Sequence, residues 1–434
     1  MSVGLQRLRD DADAVRKGAR DKGEDPGVVD RALEVDAERR HVAGEADAYR
    51  AERKKLSERI GAAIRGGAAA DSPDLTRLRT RSTEIGRAIE DRERVLRQLE
   101  AELDELLLRI PNPADPDVPV GGEDDGVIVR TWGDPAAHRD GGDDRPCRPH
   151  WEVAETLGIF DLAAGAKVTG SGFPVYRGGG AALQRALIDY MLTLHTVEHG
   201  MTEIWPPALV NADSARGTGQ IPDKEDQMYV VTRDELYLVP TAEVPVTNIH
   251  RDEIIEADRL PIRYVAYSPC FRREAGAAGA RTRGILRVHQ FDKVEMVCFE
   301  RPDASDASLE WLTGRAEVVL QRLGLPYRVK LMATRDMGFV QAKKYDLEVW
   351  APGVEAWLEV SSVSNFRDYQ ARRMNIRWRP GPGARPAILH TLNGSGLALA
   401  RTVAAILEVY QQADGTVAVP EVLRDRLGRE RLTA

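Results

Sequence analysis

The stretch from Phe271 to Glu295, FRREAGAAGARTRGILRVHQFDKVE, gathers the residues best suited to chemistry on a charged small molecule. Arg272, Arg273, Arg281, Arg283 and Arg287 flank a loop, AGAAGA, that holds two glycines. A planar guanidinium presents paired donors that match paired phosphate oxygens. A β-hairpin with arginines around a glycine-bearing loop can therefore clamp a polyphosphate. The same residues can instead make a basic surface hairpin whose arginines pair with Glu274 and Glu295. Local chemistry leaves both readings open. Two other groups carry less. Gly178 to Gly180 is a glycine run without Walker or dinucleotide spacing, and it reads as a loop. Cys147, Cys270 and Cys298 are odd in number, far apart and without paired ligand spacing, so they read as reduced, partly buried thiols, with no zinc expected.

These residues need a scaffold, and 434 residues suffice for two domains, each with its own core. Hydrophobic residues make up 42% and charged residues 30%, within the range of a globular protein. No apolar run approaches the roughly 20 residues of a membrane helix. The opening MSVGLQRLRDDADAV is too charged for a signal peptide, which points to the cytoplasm. The net charge of −8 argues weakly against nucleic acid, but a local basic stripe can still bind phosphates.

Residues 28 to 110 carry such a stripe. In the second half of this stretch Leu75, Leu78, Ile85, Ile89, Leu96, Leu99, Leu103, Leu106 and Ile110 follow heptad spacing, with Ser82 and Arg92 as polar members of the seam. A weaker seam runs through Val28, Ala32, Val35, Val42, Ala46, Tyr49, Leu56, Ile60 and Ala63, interrupted by Arg39 and Arg53. Gly66 and Gly67 can end the first helix, and Ser72 can cap a second that starts at Pro73. The short connection makes an antiparallel helical hairpin on the order of 50 Å long. Its outer faces hold Arg50, Lys54, Lys55, Arg59 and Arg65 on one helix and Arg77, Arg79, Arg81, Arg87, Arg94 and Arg97 on the other. A solvated coiled coil, a dimerisation rod and a rod that reads RNA shape through phosphates all fit this pattern. The prolines and glycines of Ile110 to Gly126 stop the helix and make a linker, and Asp134 to Pro149 is a second loose stretch. Beyond it the chain alternates helices with strands such as ELYLVP (235 to 240), IRYVAYSPCF (262 to 271), VEMVCFE (294 to 300) and YDLEVW (345 to 350), patterned as in an antiparallel sheet.

Several segments in a fixed order resemble the class II aminoacyl-tRNA synthetases in their seryl form. Phe271 to Glu295 resembles motif 2, and Ile204 to Val210 (IWPPALV) resembles motif 1. Thr241-Ala242-Glu243 within PTAEVP and Gly217-Thr218-Gly219-Gln220 within RGTGQIP resemble two seryl segments. So do Asp336 to Gly353 and Glu359 to Arg379, while His390 to Glu408 (HTLNGSGLALARTVAAILE) resembles motif 3. IPNPADPDVPVG and the helical arm resemble the same family, so the likeness covers nearly the whole chain. It implies an α+β chain: an N-terminal antiparallel helical hairpin as a tRNA-binding arm (1–112), then a class II catalytic domain with an antiparallel sheet flanked by helices (113–434).

The resemblance further implies that serine is activated with ATP to seryl-adenylate and passed to the 3′ end of tRNA. Arg272, Glu295 and Arg401 would carry the reaction. Arg272 would hold the ATP α-phosphate and the serine carboxylate, Glu274 the adenine, and Arg287 the γ-phosphate. Phe291 would stack under the adenine and Arg401 would cover its other face. Glu359 and Ser362 would bind Mg²⁺ between the phosphates. In the serine pocket, Thr241 and Glu243, with Ala242 between them, would meet the ammonium group. Glu295 and Ser395 would meet the hydroxyl, with Asn393 nearby. The implied partners are tRNA(Ser), with tRNA(Sec) as a second candidate, and a second copy of the chain in a homodimer; no membrane is implied. Gly172, Val363 and Ala400 stand where arginine, cysteine and glycine are usual, and Tyr176 to Gly180 lacks the common Lys-Gly-Asp-Gly. These departures motivate an alternative, a specialised paralogue that serves a secondary-metabolite pathway or resists a seryl-adenylate-like inhibitor.

Overall fold

The computed structural model describes residues 3–138, 146–274 and 283–434. The AGAAGA loop, Arg281 and part of the Asp134–Pro149 stretch lie outside the described residues. The chain forms two compact units, Val3–Arg20 with Glu24–Ile110, and Asp21–Gly23 with Pro111–Ala434.

The first unit contains two short helices, α1 (Leu5–Asp10) and α2 (Ala12–Asp21), which the sequence reading did not place, and two long ones, α3 (Gly27–Arg65) and α4 (Pro73–Leu108). The turn uses the expected residues. Gly67 takes a left-handed φ of 83°, and the Ala68 N–H reaches back to the Ala63 carbonyl at 3.0 Å while the Gly67 N–H reaches that of Ile64 at 3.1 Å. This Schellman closure satisfies carbonyls that the helix end would otherwise leave unpaired. Ser72 Oγ then accepts from the Leu75 N–H, with Pro73 opening α4. Ala32, Val35, Val42, Ala46 and Leu56 are buried against Leu75, Ile85, Ile89, Leu99 and Leu103. The interrupted seam has a physical reason. Asp36 is fully buried beside it and takes hydrogen bonds from Arg9 at 2.8 Å, Arg39 at 3.0 Å and Arg40 at 3.1 Å. Arg92 likewise pairs with Glu45 across the helices at 3.0 Å.

In the second unit an eight-stranded sheet forms among the described residues. Its strands are β1 (Val127–Trp132), β2 (Thr202–Ile204), β3 (Ile262–Phe271), β4 (Gln290–Glu300), β5 (Tyr327–Leu331), β6 (Lys343–Ala351), β7 (Ala356–Asn365) and β8 (His390–Ala398). Their order is β1-β5-β6-β7-β8-β4-β3-β2, antiparallel throughout except for the parallel β2–β3 pair at one edge. β4 is covered on both faces, so Lys293 to Glu300 are buried without alternation. Val294, Met296 and Cys298 join a large core with the helices Gly178–Thr193, Ser305–Arg322 and Leu399–Val409. Val297 and Phe299 face the other way, into a smaller core with Ala242, Val246, Ala371 and Met374. Since side chains alternate along a strand, Lys293 and Glu295 share the face of this smaller core.

Two expectations are corrected. Gly178–Gly180 opens a 16-residue helix and is not a loop. A Cβ on Gly180 would lie 2.2 Å from the Ile159 carbonyl oxygen, so glycine serves close packing at the helix start. Residues 111–120 stop the helix but are no free linker. The Asn112 N–H bonds the Phe339 carbonyl and its side-chain amide those of Val340 and Phe366, Asp115 pairs with Arg367 at 2.6 Å, and Val118 is buried against Met332 and Met337. Among the described residues no helix is long and apolar enough to cross a membrane.

Candidate active site

A cleft of about 430 Å³ opens on the face of the sheet that carries Glu295. Thr241, Glu243, Arg272, Glu274, Arg287, Phe291, Glu295, Glu359, Ser362, Asn393, Ser395 and Arg401 all line it. Of the expected site residues only Ala242 does not; its side chain is fully buried in the smaller core and fixes the start of the helix Glu243–Thr247.

Two irregularities in the sheet aim these side chains. Residues three apart on a regular strand point to opposite faces. Glu359 and Ser362 nevertheless both reach the cleft, because the β6–β7 ladder passes from Glu348↔Glu359 to Leu347↔Ser361 and leaves Val360 as an extra residue. The β4–β8 ladder skips Gly396 in the same way, so Asn393, Ser395 and Ala398 all line the cleft. A β-bulge re-aims side chains in this manner. Gly396 also lies against His195, where a Cβ would come within 2.7 Å of Nε2.

At one end of the cleft Arg272 lies over the Phe291 ring, 5.2 Å from its centroid, and its Nε donates to the Pro240 carbonyl. Arg287 pairs with Glu274 at 3.1 Å, and Glu274 holds a left-handed φ of 50°. Arg401 donates to the Leu286 carbonyl at 3.1 Å, to the Glu359 carbonyl at 2.8 Å and to the Glu359 carboxylate at 3.4 Å. Of the arginines around the motif 2 loop, only Arg272 and Arg287 reach the cleft among the described residues. Arg273 binds the Asp226 carbonyl and Arg283 lies over Trp151. Glu274 pairs with an arginine, as in a hairpin that satisfies its own charges, whereas Glu295 pairs with a lysine.

That lysine, Lys293, was missed in the sequence. Its Nζ lies 2.6 Å from Glu295 Oε2, with both side chains almost fully buried. Its spacing of two from Glu295 on one strand was a readable signal. Ser395 Oγ also donates to Glu295, at 3.3 Å. Glu243 is buried, and its carboxyl is pushed up to about 7 by burial and by Glu295, against an opposing hydrogen bond from Gln370 at 2.6 Å. Gln370 was missed as well, and nothing local marks it: it lies 127 residues from Glu243 in the chain.

Glu359 behaves differently. Burial pushes its carboxyl up, but Arg401, Lys344 and Arg272 outweigh this and hold it below the usual carboxylate range. Its side chain stays 43% exposed to the cleft. Glu359 and Ser362 offer the hard oxygen donors that Mg²⁺ takes alongside substrate oxygens and water. Asp346, opposite Ser362 in the ladder, keeps a buried Oδ1 that has no hydrogen-bond partner among the described residues. The residues present fit the ion.

The departures at Gly172, Val363 and Ala400 are matters of packing. Gly172 has a φ of 81°, and a Cβ there would lie 2.2 Å from His289, whose own N–H bonds the Gly172 carbonyl. The Val363 methyls press on Gly394, and Ala400 is buried at the rim. Of the three, Ala400 alone is among the residues that line the cleft.

The sheet and the cleft on it match the catalytic core of the class II aminoacyl-tRNA synthetases. The model of the tRNA synthetase class II core domain (G, H, P, S and T) matches residues 229–410, and the model of the seryl-tRNA synthetase N-terminal domain matches residues 4–114. The serine–tRNA ligase of Gemmatimonas aurantiaca is 49% identical over 98% of both chains, and that of Thermomicrobium roseum is 50% identical over 98% of this chain and 93% of its own. Among solved structures, seryl-tRNA synthetase from Pyrococcus horikoshii complexed with ATP superimposes with a TM-score of 0.91 at 37% identity, covering 99% of each chain. The cytoplasmic enzyme from Naegleria fowleri in complex with AMP gives 0.88 at 27% identity, over 99% of this chain and 98% of that one. The chain belongs to the seryl-tRNA synthetase family.

Proposed function

We propose that the chain is a serine–tRNA ligase that joins L-serine to ATP, releases pyrophosphate and passes the seryl group to the 3′ end of tRNA(Ser), with tRNA(Sec) as a second acceptor. The observation that carries this reading is the division of one cleft into a cationic, aromatic end and a buried carboxylate end. At the first end, Arg272 holds the α-phosphate and the serine carboxylate that attacks it. Glu274 binds the adenine, which lies between Phe291 and Arg401, while Arg287 and Arg401 take the γ-phosphate. The protein supplies alignment and charge stabilisation there rather than a covalent intermediate. Mg²⁺ bound by Glu359 and Ser362 would neutralise phosphate charge.

At the second end, Thr241 and Glu243 receive the ammonium group. Glu295, held by Lys293 and Ser395, receives the hydroxyl, with Asn393 beside it. Alanine would leave these buried polar groups unpaired, so it is rejected strongly. The hairpin, with 13 basic against 8 acidic residues between positions 50 and 97, grips the tRNA. The enzyme works in the cytoplasm as a homodimer, with Ile204–Val210 at the interface; Trp205 in this segment is 79% exposed.

Serine-dependent ATP–pyrophosphate exchange and tRNA charging, on the full chain and on a version lacking residues 30–108, test the reading. Both versions are expected to activate serine and only the full chain to charge tRNA well. Absence of exchange with any amino acid overturns the catalytic reading, and unchanged charging without the arm overturns the role of the arm.

A further inference from the structure

Glu243 receives its hydrogen bond from a residue with no place in the reaction so far. Gln370 lies in the one-turn helix Tyr369–Arg373 and is 1% exposed. Its Nε2 donates to Glu243 Oε1 at 2.6 Å and to the Thr218 carbonyl at 3.1 Å. Its Oε1 accepts from Thr391 Oγ1 at 2.8 Å, and Thr391 is fully buried on β8. The arrangement fixes which way the amide points. Turned over, its oxygen would face the Thr218 carbonyl, which can only accept, and the Glu243 carboxylate, which in its charged form also only accepts. Every hydrogen-bonding atom of the amide side chain is thus engaged: the Thr218 carbonyl, which can only accept, selects the orientation that aims an N–H at Glu243, and the Thr391 hydroxyl completes it by donating to Oε1.

The same short helix fixes the neighbouring wall of the cleft. Arg373 donates to the Arg216 carbonyl at 3.1 Å and to the Ile221 carbonyl at 3.4 Å, bracketing the segment that carries the cleft residue Gln220. Three parts of the chain far apart in sequence, at Thr218, Glu243 and Thr391, therefore meet at one amide.

We infer that Gln370, oriented by the Thr218 carbonyl and held by Thr391, is the positioning residue for Glu243: it locks one carboxylate oxygen and leaves the other as the charged acceptor for the substrate ammonium. The inference rests on the reading of Glu243 as the ammonium ligand. The charged and titratable groups that face Glu243 are Glu295 and Lys293 from β4 and Lys224 from the segment beyond Gln220. Burial and Glu295 push the Glu243 carboxyl up to about 7, and the Gln370 N–H opposes them. An apolar residue at position 370, which has no N–H to donate, removes that opposition, so the protonated, non-binding form of Glu243 persists to higher pH.

The test is serine-dependent pyrophosphate exchange on the full chain across pH 5.5 to 9 (a range of about 3.5 units around the usual histidine region), with KM read separately for serine and ATP. Gln370→Leu should raise the serine KM about tenfold at neutral pH, the loss expected when a hydrogen bond to a charged group is removed. It should leave the ATP KM near its wild-type value. The acid limb of kcat/KM for serine should move to higher pH. Thr391→Val, which keeps Gln370 but leaves its buried Oε1 without that donor, should move the same quantities in the same direction by less, and Thr391→Ser should restore them. Thr391→Val decides the matter if Gln370→Leu fails to fold. Glu243→Gln separates the two readings: it should raise the serine KM and abolish the acid limb. A wild-type serine KM in Glu243→Gln overturns the ammonium reading. An impaired Glu243→Gln beside wild-type serine KM and pH limb in Thr391→Val and in any folded Gln370→Leu overturns the inference about Gln370 alone.

Discussion

Lys293 and Glu295 form an ion pair with 8% and 1% of their side chains exposed, in the lining of the cleft. Two buried charges persist only when each is matched, because removing one leaves the other desolvated and alone. Lys293→Met should therefore lower stability by on the order of 3–5 kcal/mol, read as an earlier midpoint in urea unfolding. The double change with Glu295→Gln should recover much of that loss while leaving serine activation impaired. If Lys293→Met unfolds at the wild-type midpoint, the pair is not the buried contact that its 2.6 Å separation describes. Much of the site at this scale was legible in the sequence. Arg272, Glu274, Phe291 and Glu295 lie in one run of the chain, and their types and order bring them to one cleft. Gln370 was not legible, because a glutamine without a local partner carries no signal until distant segments are folded together.

Among the elements, the hairpin depends on one buried charge. Asp36 takes hydrogen bonds from Arg9 on α1 and from Arg39 and Arg40 on its own helix, and the Arg9 bond above all, against the cost of burial, brings its carboxyl down to about 2. A carboxylate lowered on folding stabilises the fold at pH values above its unfolded range, and this contribution fades as pH falls through the folded value. Asp36→Asn should therefore cost roughly 2 kcal/mol at pH 7, seen as faster amide hydrogen exchange at the base of α3. The difference from wild type should shrink as pH is lowered from about 4 toward 2. A difference that stays constant with pH would mean the loss is one of packing alone. Heptad spacing predicted the two helices and their turn, since Gly67, Ser72 and Pro73 act through local backbone geometry. It gave no reason for the gap in the seam at Arg39, whose partner Asp36 is itself held by a helix outside the repeat. The strands show the same division. Their existence followed from alternation, but the bulges at Val360 and Gly396, which turn Glu359 and Ser395 into a common cleft, depend on register against neighbouring strands.

For the whole molecule, a net charge of −8 and a nucleic-acid substrate must be reconciled. Part of the basic face of the hairpin is neutralised locally: Arg50 pairs with Asp47 and Glu93, Arg77 with Asp74, Arg81 with Glu52 and Glu84, and Arg94 with Asp91. Such exposed pairs are weak and can exchange for phosphate. Binding of tRNA through these faces should release counterions, so the KM for tRNA should rise steeply between about 50 and 200 mM salt. Pyrophosphate exchange, whose ligands sit in a partly enclosed cleft, should change much less over the same range. Equal salt dependence of the two reactions would count against an electrostatic grip by the arm. The sequence by itself determined the two long helices, the main strands and most of the side chains that meet in the cleft, because periodicity, capping and motif order act over short stretches of chain. Only the tertiary structure decided that residues 111–120 are bound to the catalytic unit, that Gly178–Gly180 begins a helix, and that Lys293 and Gln370 hold the two carboxylates of the buried end. Each of these depends on which distant groups meet where water is excluded, and there an unpaired polar atom is costly enough to select its partner.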